Sequence, residues 1–414
     1  MSRLHVAVLD EELPFPLTSG KRIRTFNLLT QLAKTHRITY VAHRNPDDEE
    51  VRVAAKALRD HGIFPIVVER EIPPKSGIGL YGRLFKNLFS PLPYSVTSHA
   101  SKQFQAAVDR LAKEDPPDLW HCEWTPYAQT MFRRTGQWVV MAHNVESLIW
   151  QRYTENERNP FKHWFLHKQW KRFEQFEAWA YSAASRAIAV SREDADRMER
   201  QFGAKDVAVV DNGVDTTFFK PCEVGERDPF KLLYLGSLDW RPNQDAVRLL
   251  LDTILPRVQA LEPKARLVIV GRKPTDALRA ELTNRPGVEL HADVPDVRPF
   301  LHAAGMLVVP LRIGGGSRLK ILEALAAGTP VITTTIGVEG LRLRHGEHCT
   351  AADGAELFSA AIVDAIRLPK SAEVQAAVGR ARVLAEYDWS GLATKMDDVW
   401  QEATAKPPSK GATR

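Results

Sequence analysis

The stretch with the clearest chemical potential is a glycine-rich turn that opens directly onto a predicted helix, residues 317–327. Backbone N–H groups and the positive end of the helix macrodipole point at such a turn, and two basic side chains add full charges. An anion is expected there, and a phosphate or diphosphate fits best. The alternative is a turn that only packs on a basic surface. The candidate anion-binding residues are Gly314, Gly315, Gly316, Ser317, Arg318 and Lys320.

Two further residues have side chains suited to binding or proton transfer. Glu323 lies on the same predicted helix, two turns from the anion end, where it can accept hydrogen bonds from a ligand's hydroxyls. His143 follows a predicted buried strand, residues 138–142, and an imidazole there can bind a sugar hydroxyl or move a proton. The alternative is a histidine satisfied by backbone groups at a strand end. His121 and Glu123 are weaker candidates on the same argument.

The elements that position these residues alternate between strand and helix, which predicts an α/β protein with mostly parallel sheets. The pattern starts afresh after a plausible linker at residues 221–229, and residues 72–97 look irregular. Predicted strands are 4–9, 38–42, 64–68, 118–122, 138–142, 187–190, 207–210, 231–235, 266–270, 288–291, 306–311 and 331–335. Predicted helices include 22–34, 51–61, 102–113, 161–184, 193–202, 244–259, 297–304, 357–367, 372–386 and 390–403.

Ligands of open parallel sheets bind beyond the carboxyl ends of the strands. By that rule Gly20, His143 and Arg241 lie at the same kind of edge as the glycine turn. Two such sheets facing each other across a cleft would form an enzyme-like site, with a phosphorylated ligand on the second sheet and its reaction partner on the first.

Bulk properties exclude several classes of protein. The 414 residues allow two domains, and 44% hydrophobic with 26% charged residues is ordinary for a globular protein. Three scattered cysteines and the absence of a signal-like or membrane-spanning apolar run favour the cytoplasm. No metal-ligand spacing is present, so no metal or cofactor is expected. Basic residues are not arranged in a stripe, so nucleic-acid binding is not expected. The basic, aromatic segment 161–184 is either a membrane-surface helix or, as we favour, a domain helix.

An ordered series of motifs resembles family 4 of the retaining, metal-independent glycosyltransferases, which have the GT-B architecture of two Rossmann-like domains. The motifs are the Gly20 loop with RIRTFNLLTQLA, MAHNVE, AIAVSREDADRM, VDNGVDTTFFKP, LLYLGSLDWRPNQDA, LVIVGRKP and GGGSRLKILEALAAGTPVITT. Each motif is weak alone, whereas their order and spacing across nearly the whole chain are specific.

The resemblance implies an acceptor-binding domain at residues 1–212 and a nucleotide-sugar-binding domain at 213–388. A last helix, 389–404, crosses back to the first domain, and a disordered tail covers 405–414. It further implies that Glu323 holds the donor ribose, that Gly20 approaches the donor diphosphate, and that His143 contacts the transferred sugar. The expected reaction moves a hexose-type sugar to a glycan or lipid-linked acceptor, with peripheral contact at the inner membrane face.

The chain departs from the family pattern in its phosphate loops. A glutamate is usual at the position of Gly315, and an Arg and a Lys are usual where Ser237 and Pro242 stand. A subgroup with a GGG-[ST]-R-x-K loop shares the first departure, and we expect Arg241, Arg318 and Lys320 to neutralise the diphosphate. Two alternatives stay open: a nucleotide-sugar epimerase of the same architecture, and a non-catalytic nucleotide-sugar-binding protein.

Overall fold

A computed structural model describes residues 2–69, 78–132, 134–221, 227–282, 285–313 and 318–406. Over this part of the chain the residues cluster into two compact units. The first unit consists of Met1–Asp211 and Leu392–Arg414, and the second of Asn212–Gly391. Each unit has its own buried apolar core.

The first unit is a parallel sheet with the strand order β3-β2-β1-β4-β5-β6-β7 across its described residues. Its central strands β1, β4 and β5 are short apolar runs buried on both faces, as expected when helices cover both sides of a parallel sheet. The strands are β1 (His5–Asp10), β2 (Arg37–His43), β3 (Ile63–Val68), β4 (Leu119–Cys122), β5 (Trp138–Ala142), β6 (Arg186–Ala189) and β7 (Ala208–Val209). The helices are α1 (Gly20–Leu32), α2 (Asp48–Asp60), α3 (Ile78–Asn87), α4 (Tyr94–His99), α5 (Lys102–Glu114), a 3₁₀ helix (Thr125–Met131), α6 (Glu146–Asn156), α7 (Pro160–Ala183) and α8 (Arg192–Phe202).

The second unit repeats the plan, with the parallel order β10-β9-β8-β11-β12-β13 among its described strands. The strands are β8 (Asp228–Ser237), β9 (Arg266–Arg272), β10 (Val288–Ala292), β11 (Ala304–Val309), β12 (Val331–Thr333) and β13 (Thr350–Ala351). The helices are α9 (Arg241–Leu249), a π turn (Leu250–Ile254), α10 (Leu255–Leu261), α11 (Asp276–Leu282), α12 (Arg298–Ala303), α13 (Leu319–Ala326), α14 (Thr335–Val338), α15 (Ala355–Arg367) and α16 (Pro369–Glu386).

The last helix, α17 (Trp389–Ala405), is hydrogen-bonded to two buried histidines of the first unit. The Nδ1 atom of His36 accepts the N–H of Leu4 at 3.1 Å, so its other ring nitrogen donates to Asp397 at 3.0 Å. The indole N–H of Trp400 donates to Nδ1 of His121 at 3.0 Å. These bonds fix which face of α17 meets the sheet.

The predicted alternation of strands and helices is confirmed, but the prediction of an irregular segment at 72–97 is wrong where the structure describes it. Helices α3 and α4 lie there. Pro93 is the N-cap of α4, so it starts a helix instead of interrupting one. The predicted helix 244–259 begins earlier, at Arg241, and contains the π turn. Pro256 has no N–H to continue the regular ladder, and the wider turn precedes it.

Both sheets have a switch point, where the chain reverses its direction of strand addition. It lies between β1 and β4 in the first unit and between β8 and β11 in the second. The loops that leave such neighbouring strands run in opposite directions, and the crevice at their carboxyl ends is where doubly wound sheets bind ligands. The topology therefore defines two places in which to look for a site.

Candidate active site

At the switch point of the second unit, four residues form what we call the Lys320 cluster: Tyr234, Ser237, Asn243 and Lys320. The amide oxygen of Asn243 accepts the Lys320 ammonium at 3.1 Å and the Tyr234 hydroxyl at 2.8 Å. The amide nitrogen of Asn243 donates to the Ser237 carbonyl at 2.8 Å, which fixes the orientation of the side chain. The Lys320 Nζ also lies 4.7 Å from the centroid of the Tyr234 ring. The partners of this ammonium are thus an amide oxygen and an aromatic face, both uncharged.

The charge of Lys320 is poorly compensated in this environment. Burial lowers the pKa of Lys320 to about 8, against the effect of Glu323, which raises it, and Arg318 lowers it further. Burial also raises the pKa of Glu323 to about 7. Across the described residues, none donates a hydrogen bond to the Glu323 carboxylate. A cation and a carboxylate one turn apart on α13 are therefore both available to a ligand.

Close approach of the backbone to this cluster depends on two glycines. A Cβ added at Gly236 would lie 3.0 Å from the Asn243 side chain and 3.1 Å from Lys320 Nζ. A Cβ at Gly271 would lie 2.2 Å from the Gly236 carbonyl oxygen and 2.7 Å from Leu238 Cγ. The absence of a side chain at Gly236 leaves room for the Asn243 amide and the Lys320 ammonium, and its absence at Gly271 leaves room for the Gly236 carbonyl.

The other predicted phosphate ligands occupy different settings. Arg318 has a left-handed backbone conformation, with φ of 49°, immediately before α13. Its guanidinium is almost buried and donates to the Ile336 carbonyl at 3.0 Å and to Glu339 at 3.3 Å. Arg241 is exposed at the first residue of α9. The candidates that lie outside the described residues are Gly314, Gly315, Gly316 and Ser317.

At the switch point of the first unit, a second set of side chains surrounds a buried carboxylate; we call Thr25, His121, Glu123 and His143 the Glu123 cluster. Oε1 of Glu123 accepts the Thr25 hydroxyl at 2.7 Å and lies 3.3 Å from Nε2 of His143. Oε2 lies 3.0 Å from Nε2 of His121. Strands β1, β4 and β5 are neighbours, so the chain segments that follow them converge on this carboxylate.

The protonation states in this cluster follow from its hydrogen bonds. An indole N–H is a donor only, so Nδ1 of His121 accepts from Trp400 and Nε2 carries the proton. Burial would raise the pKa of Glu123, but the two histidines outweigh it and hold that pKa well below its usual range. Burial lowers the pKa of His143, although Glu123 raises it. His143 is therefore a neutral imidazole whose Nε2–H faces Glu123, which leaves Nδ1 as an acceptor.

One basic residue at the same edge of the first sheet, Lys21, already has carboxylate partners. Gly20 is the first residue of α1, and the next residue, Lys21, lies with its Nζ 2.5 Å from Asp10 and 2.8 Å from Glu11. The Tyr40 hydroxyl donates to the other oxygen of Asp10 at 2.6 Å. Burial would lower the pKa of Lys21, but the two carboxylates raise it above its ordinary value. This lysine is fully compensated by groups of its own unit.

A buried glutamate on α7 supports the segment that carries His143. Glu177 accepts the backbone N–H of Glu146 at 2.7 Å and of Ser147 at 3.2 Å, and the Tyr181 hydroxyl at 3.0 Å. These are orphan donors in the first turn of α6, which otherwise has no side-chain cap. Burial raises the pKa of Glu177 to about 7. The start of α6, three residues after His143, is thus fixed from behind.

Sequence reasoning named Lys320, Glu323 and His143 as candidates but missed most of the residues that position them. Asn243 and Tyr234 escaped because nothing in their local pattern marks them as ligands of a lysine. Glu123 was only a weaker candidate, although it is the centre of its cluster. One signal was available for Glu123: a carboxylate directly after a buried strand that neighbours β1. Over the described ranges, no group of three or more His, Cys, Asp or Glu is arranged to hold a metal ion.

Two protein-family profiles match most of the chain. The profile described as Glycosyltransferase Family 4 matches residues 19–218, and the profile described as Glycosyl transferases group 1 matches residues 229–367. The chain is a glycosyltransferase of the family 4 type. The expectation of a transferase from the sequence is confirmed at the level of the family, whereas the subgroup with the GGG-[ST]-R-x-K loop stays a prediction.

Similar proteins agree with this assignment. Glycogen synthase from Mycobacterium tuberculosis is 28% identical over 240 residues, which cover 55% of this chain and 56% of the relative. Phosphatidyl-myo-inositol mannosyltransferase from the same organism is 29% identical over 227 residues, covering 52% and 58%. The chain thus spans little more than half the length of these relatives.

A solved structure covers the whole fold. Sucrose-phosphate synthase from Thermosynechococcus elongatus superposes on 97% of this chain and 100% of its own, with a TM-score of 0.72 and 19% identity. Identity this low carries the fold and nothing finer. The predicted GT-B fold, with its two Rossmann-like units, is confirmed.

Proposed function

We propose that this family 4 protein is a retaining, metal-independent glycosyltransferase. It moves a hexose-type sugar from a nucleotide-diphosphate sugar to a glycan or lipid-linked acceptor. The observation that carries the proposal is the Lys320 cluster: a half-buried ammonium at the switch point of the second sheet, held by Asn243 and Tyr234 without a bonded carboxylate. Such a cation is stabilised by an incoming diphosphate. The names of the two relatives, a glycogen synthase and a mannosyltransferase, support a hexosyl transfer.

In this reaction the bond between the anomeric carbon and the diphosphate oxygen breaks, and negative charge builds on the diphosphate. Lys320 stabilises that charge, together with Arg318, Arg241 and the N–H groups of the Gly314–Ser317 loop. Glu323 accepts hydrogen bonds from the ribose hydroxyls of the donor, and Gly20 approaches the donor diphosphate.

The first unit binds the acceptor and contributes His143. Because its Nε2–H faces Glu123, the imidazole offers Nδ1 to a hydroxyl of the transferred sugar. The acceptor hydroxyl attacks the anomeric carbon on the face that the diphosphate leaves, and the departing diphosphate oxygen takes the acceptor's proton. The new glycosidic bond then keeps the configuration of the donor.

The test compares Lys320→Met with Arg367→Met in the full chain. Arg367 is an exposed basic residue at the end of α15, paired with Glu262 at 2.7 Å, and serves as the matched control. Binding of UDP- and GDP-sugars is measured by calorimetry, and turnover by NMR of the sugar's anomeric proton. A charge-assisted bond to phosphate contributes about 1.5–3 kcal/mol, so Lys320→Met should weaken donor binding about 10- to 150-fold. The control should bind as the parent does.

The product that forms decides between the possible functions of the site. Transfer or slow hydrolysis that keeps the anomeric configuration and persists in EDTA supports the proposal. An inverted product or loss of turnover in EDTA contradicts the retaining or metal-independent part. Isomerised nucleotide-sugar would identify an epimerase, and tight donor binding without any turnover would identify a binding protein.

A further inference from the structure

A buried tryptophan of the last helix contacts the Glu123 cluster from the side that faces away from solvent. Trp400 of α17 is fully buried, and its indole N–H donates to Nδ1 of His121 at 3.0 Å. The two rings meet edge to face, with their centroids 5.7 Å apart. An apolar ring without a donor would fill much of the same space. The effect of the indole N–H can therefore be separated from the effect of packing.

A continuous series of polar contacts leads from this indole to His143. Nε2 of His121 lies 3.0 Å from Oε2 of Glu123, and Oε1 of the same carboxylate lies 3.3 Å from Nε2 of His143. Trp400, His121 and Glu123 are buried, whereas 11% of the His143 side chain is exposed. Because water does not screen the buried members, a change of charge at one of them acts strongly on the next.

The indole N–H decides whether His121 can carry a charge. A histidine becomes an imidazolium when both of its ring nitrogens bind a proton. A proton on Nδ1 of His121 would face the indole N–H, so two donors would lie 3.0 Å apart and the hydrogen bond would be lost. His121 is therefore held as a neutral donor to Glu123 and does not act as its counter-ion. The negative charge of Glu123 stays available to His143.

We propose that Trp400 is a positioning residue for the transfer of the sugar. By keeping His121 neutral, it lets the full charge of Glu123 hold the Nε2–H of His143, so that Nδ1 of His143 is the acceptor for a substrate hydroxyl. This role rests on the proposed function, because Trp400 acts only through His143. The alternative is that Trp400 does no more than pack α17 against the sheet.

Other titratable groups around these contacts do not change when only the indole N–H is removed. Burial lowers the pKa of His143, and Lys21 and Arg24 of α1 lower it further, although Glu123 raises it. Burial also raises the pKa of Asp10. These ionisations are shared by parent and variant, so a difference between the two proteins reports His121. The surrounding groups are Asp10 at the end of β1, Lys21 and Arg24 of α1, His36 before β2, Asp211 after β7, and Lys395 and Asp397 of α17.

The test compares Trp400→Phe with Asp397→Asn in the full chain. The first variant keeps an apolar ring and removes the N–H. The second, the matched control, removes the charged partner of His36 on the same helix and keeps the indole. Long-range ¹⁵N–¹H NMR of the histidine rings is recorded from about pH 8 to about pH 5, where imidazoles ordinarily titrate. We expect Nδ1 of His121 to gain a proton on the acid side in Trp400→Phe, and in neither the parent nor Asp397→Asn.

Turnover at saturating donor is the functional readout. Once His121 is an imidazolium, its charge offsets that of Glu123, and the bond from His143 loses charge assistance equivalent to about fivefold. The kcat of Trp400→Phe should therefore fall about fivefold relative to the parent at the acid end, with donor affinity retained. In a His121→Gln background no group at position 121 can titrate, so adding Trp400→Phe should produce no acid-side fall.

Three results would overturn the proposal: an unprotonated Nδ1 in Trp400→Phe at about pH 5, an equal fall in Asp397→Asn, or a fall that persists in the His121→Gln background. The parent alone is also decisive, because a second proton on its His121 within this range would contradict the role of the indole even if Trp400→Phe did not fold. A parent that transfers no sugar would refute the proposed function instead, and the NMR titration would still decide whether Trp400 controls His121.

Discussion

Replacement of Glu123 by glutamine changes the tautomer of His143 without changing the size of any side chain. In the native cluster the ionised carboxylate is an acceptor only, so both neighbouring imidazoles present an Nε2–H to it. A glutamine has one acceptor oxygen and one NH₂ donor. Because Trp400 fixes the proton of His121 on Nε2, the oxygen must face His121. The NH₂ then faces His143, whose Nε2 has to become the acceptor and whose proton moves to Nδ1.

The expected magnitudes follow from the bonds that change. The His121 contact at 3.0 Å loses the charge of its acceptor, and the Thr25 hydroxyl, whose acceptor Oε1 at 2.7 Å becomes the NH₂ group, has to turn and accept instead. Charge assistance contributes about 1 kcal/mol to each of these two contacts, so the first unit should lose about 2 kcal/mol of unfolding free energy. With its proton on Nδ1, His143 no longer accepts a sugar hydroxyl there. Turnover should fall about 10²- to 10⁴-fold, the range for a misprotonated catalytic imidazole.

The assay is long-range ¹⁵N–¹H NMR of the histidine rings, which distinguishes the two tautomers, combined with turnover of the preferred donor. The His143→Ala variant assigns the signal. Glu155→Gln, an exposed glutamate on α6, is the control and should change neither quantity. If His143 in Glu123→Gln keeps its proton on Nε2 and turnover is unchanged, then the carboxylate does not orient this imidazole and the reasoning is wrong.

Three further predictions test other parts of the site. The pKa of Lys320 is lowered to about 8, so its charge is present at pH 7 and lost above pH 8. Donor affinity measured by calorimetry should therefore fall about tenfold from pH 7 to pH 9. The Lys320→Arg variant should remove that dependence. In Glu177→Gln an NH₂ group meets the Ser147 N–H, so kcat should fall with donor affinity retained, and stopped-flow kinetics separates the two. In Gly271→Ala the new methyl group overlaps the Gly236 carbonyl. Denaturant unfolding of the second unit should therefore show a free energy of unfolding lower by at least about 1–3 kcal/mol. An unchanged midpoint would show that the strand ends can separate.

Strands were predictable because a buried parallel strand leaves a local signal. Strand β5 (Trp138–Ala142) was predicted with the bounds that it has, since five apolar residues ending at a histidine admit no amphipathic alternative. Helix α3 was not predicted, because Gly79 and Gly82 lower its helix propensity and prolines lie on both sides. Its stability comes from the bonds that Lys168 and Arg172 of α7 make to its end, and a sequence window does not contain them.

The site was only half predictable for a similar reason. Lys320 and Glu323 follow a glycine-rich turn, and their residue types and spacing make them candidates from the sequence alone. The group that orients Lys320 is 77 residues away, on Asn243, and Thr25 is 98 residues from Glu123. Only the strand order, which places β8 beside β11 and β1 beside β4, brings these partners together. Single-sequence patterns predict which elements exist, whereas side-chain partners across a switch point depend on topology.

The two switch points differ in how their lysines are neutralised, and this difference supports the proposed placement of the donor. Lys21 lies between the carboxylates of Asp10 and Glu11, so a further anion there would meet net negative charge. Lys320 is held by an amide oxygen and an aromatic ring, and burial lowers its pKa to about 8. A bound diphosphate would raise that pKa, because its negative charge offsets the unfavourable desolvation of the ammonium. The electrostatics therefore favour the charged donor on the second unit, and leave the first unit, with its neutral His143, to a ligand that offers hydroxyl groups.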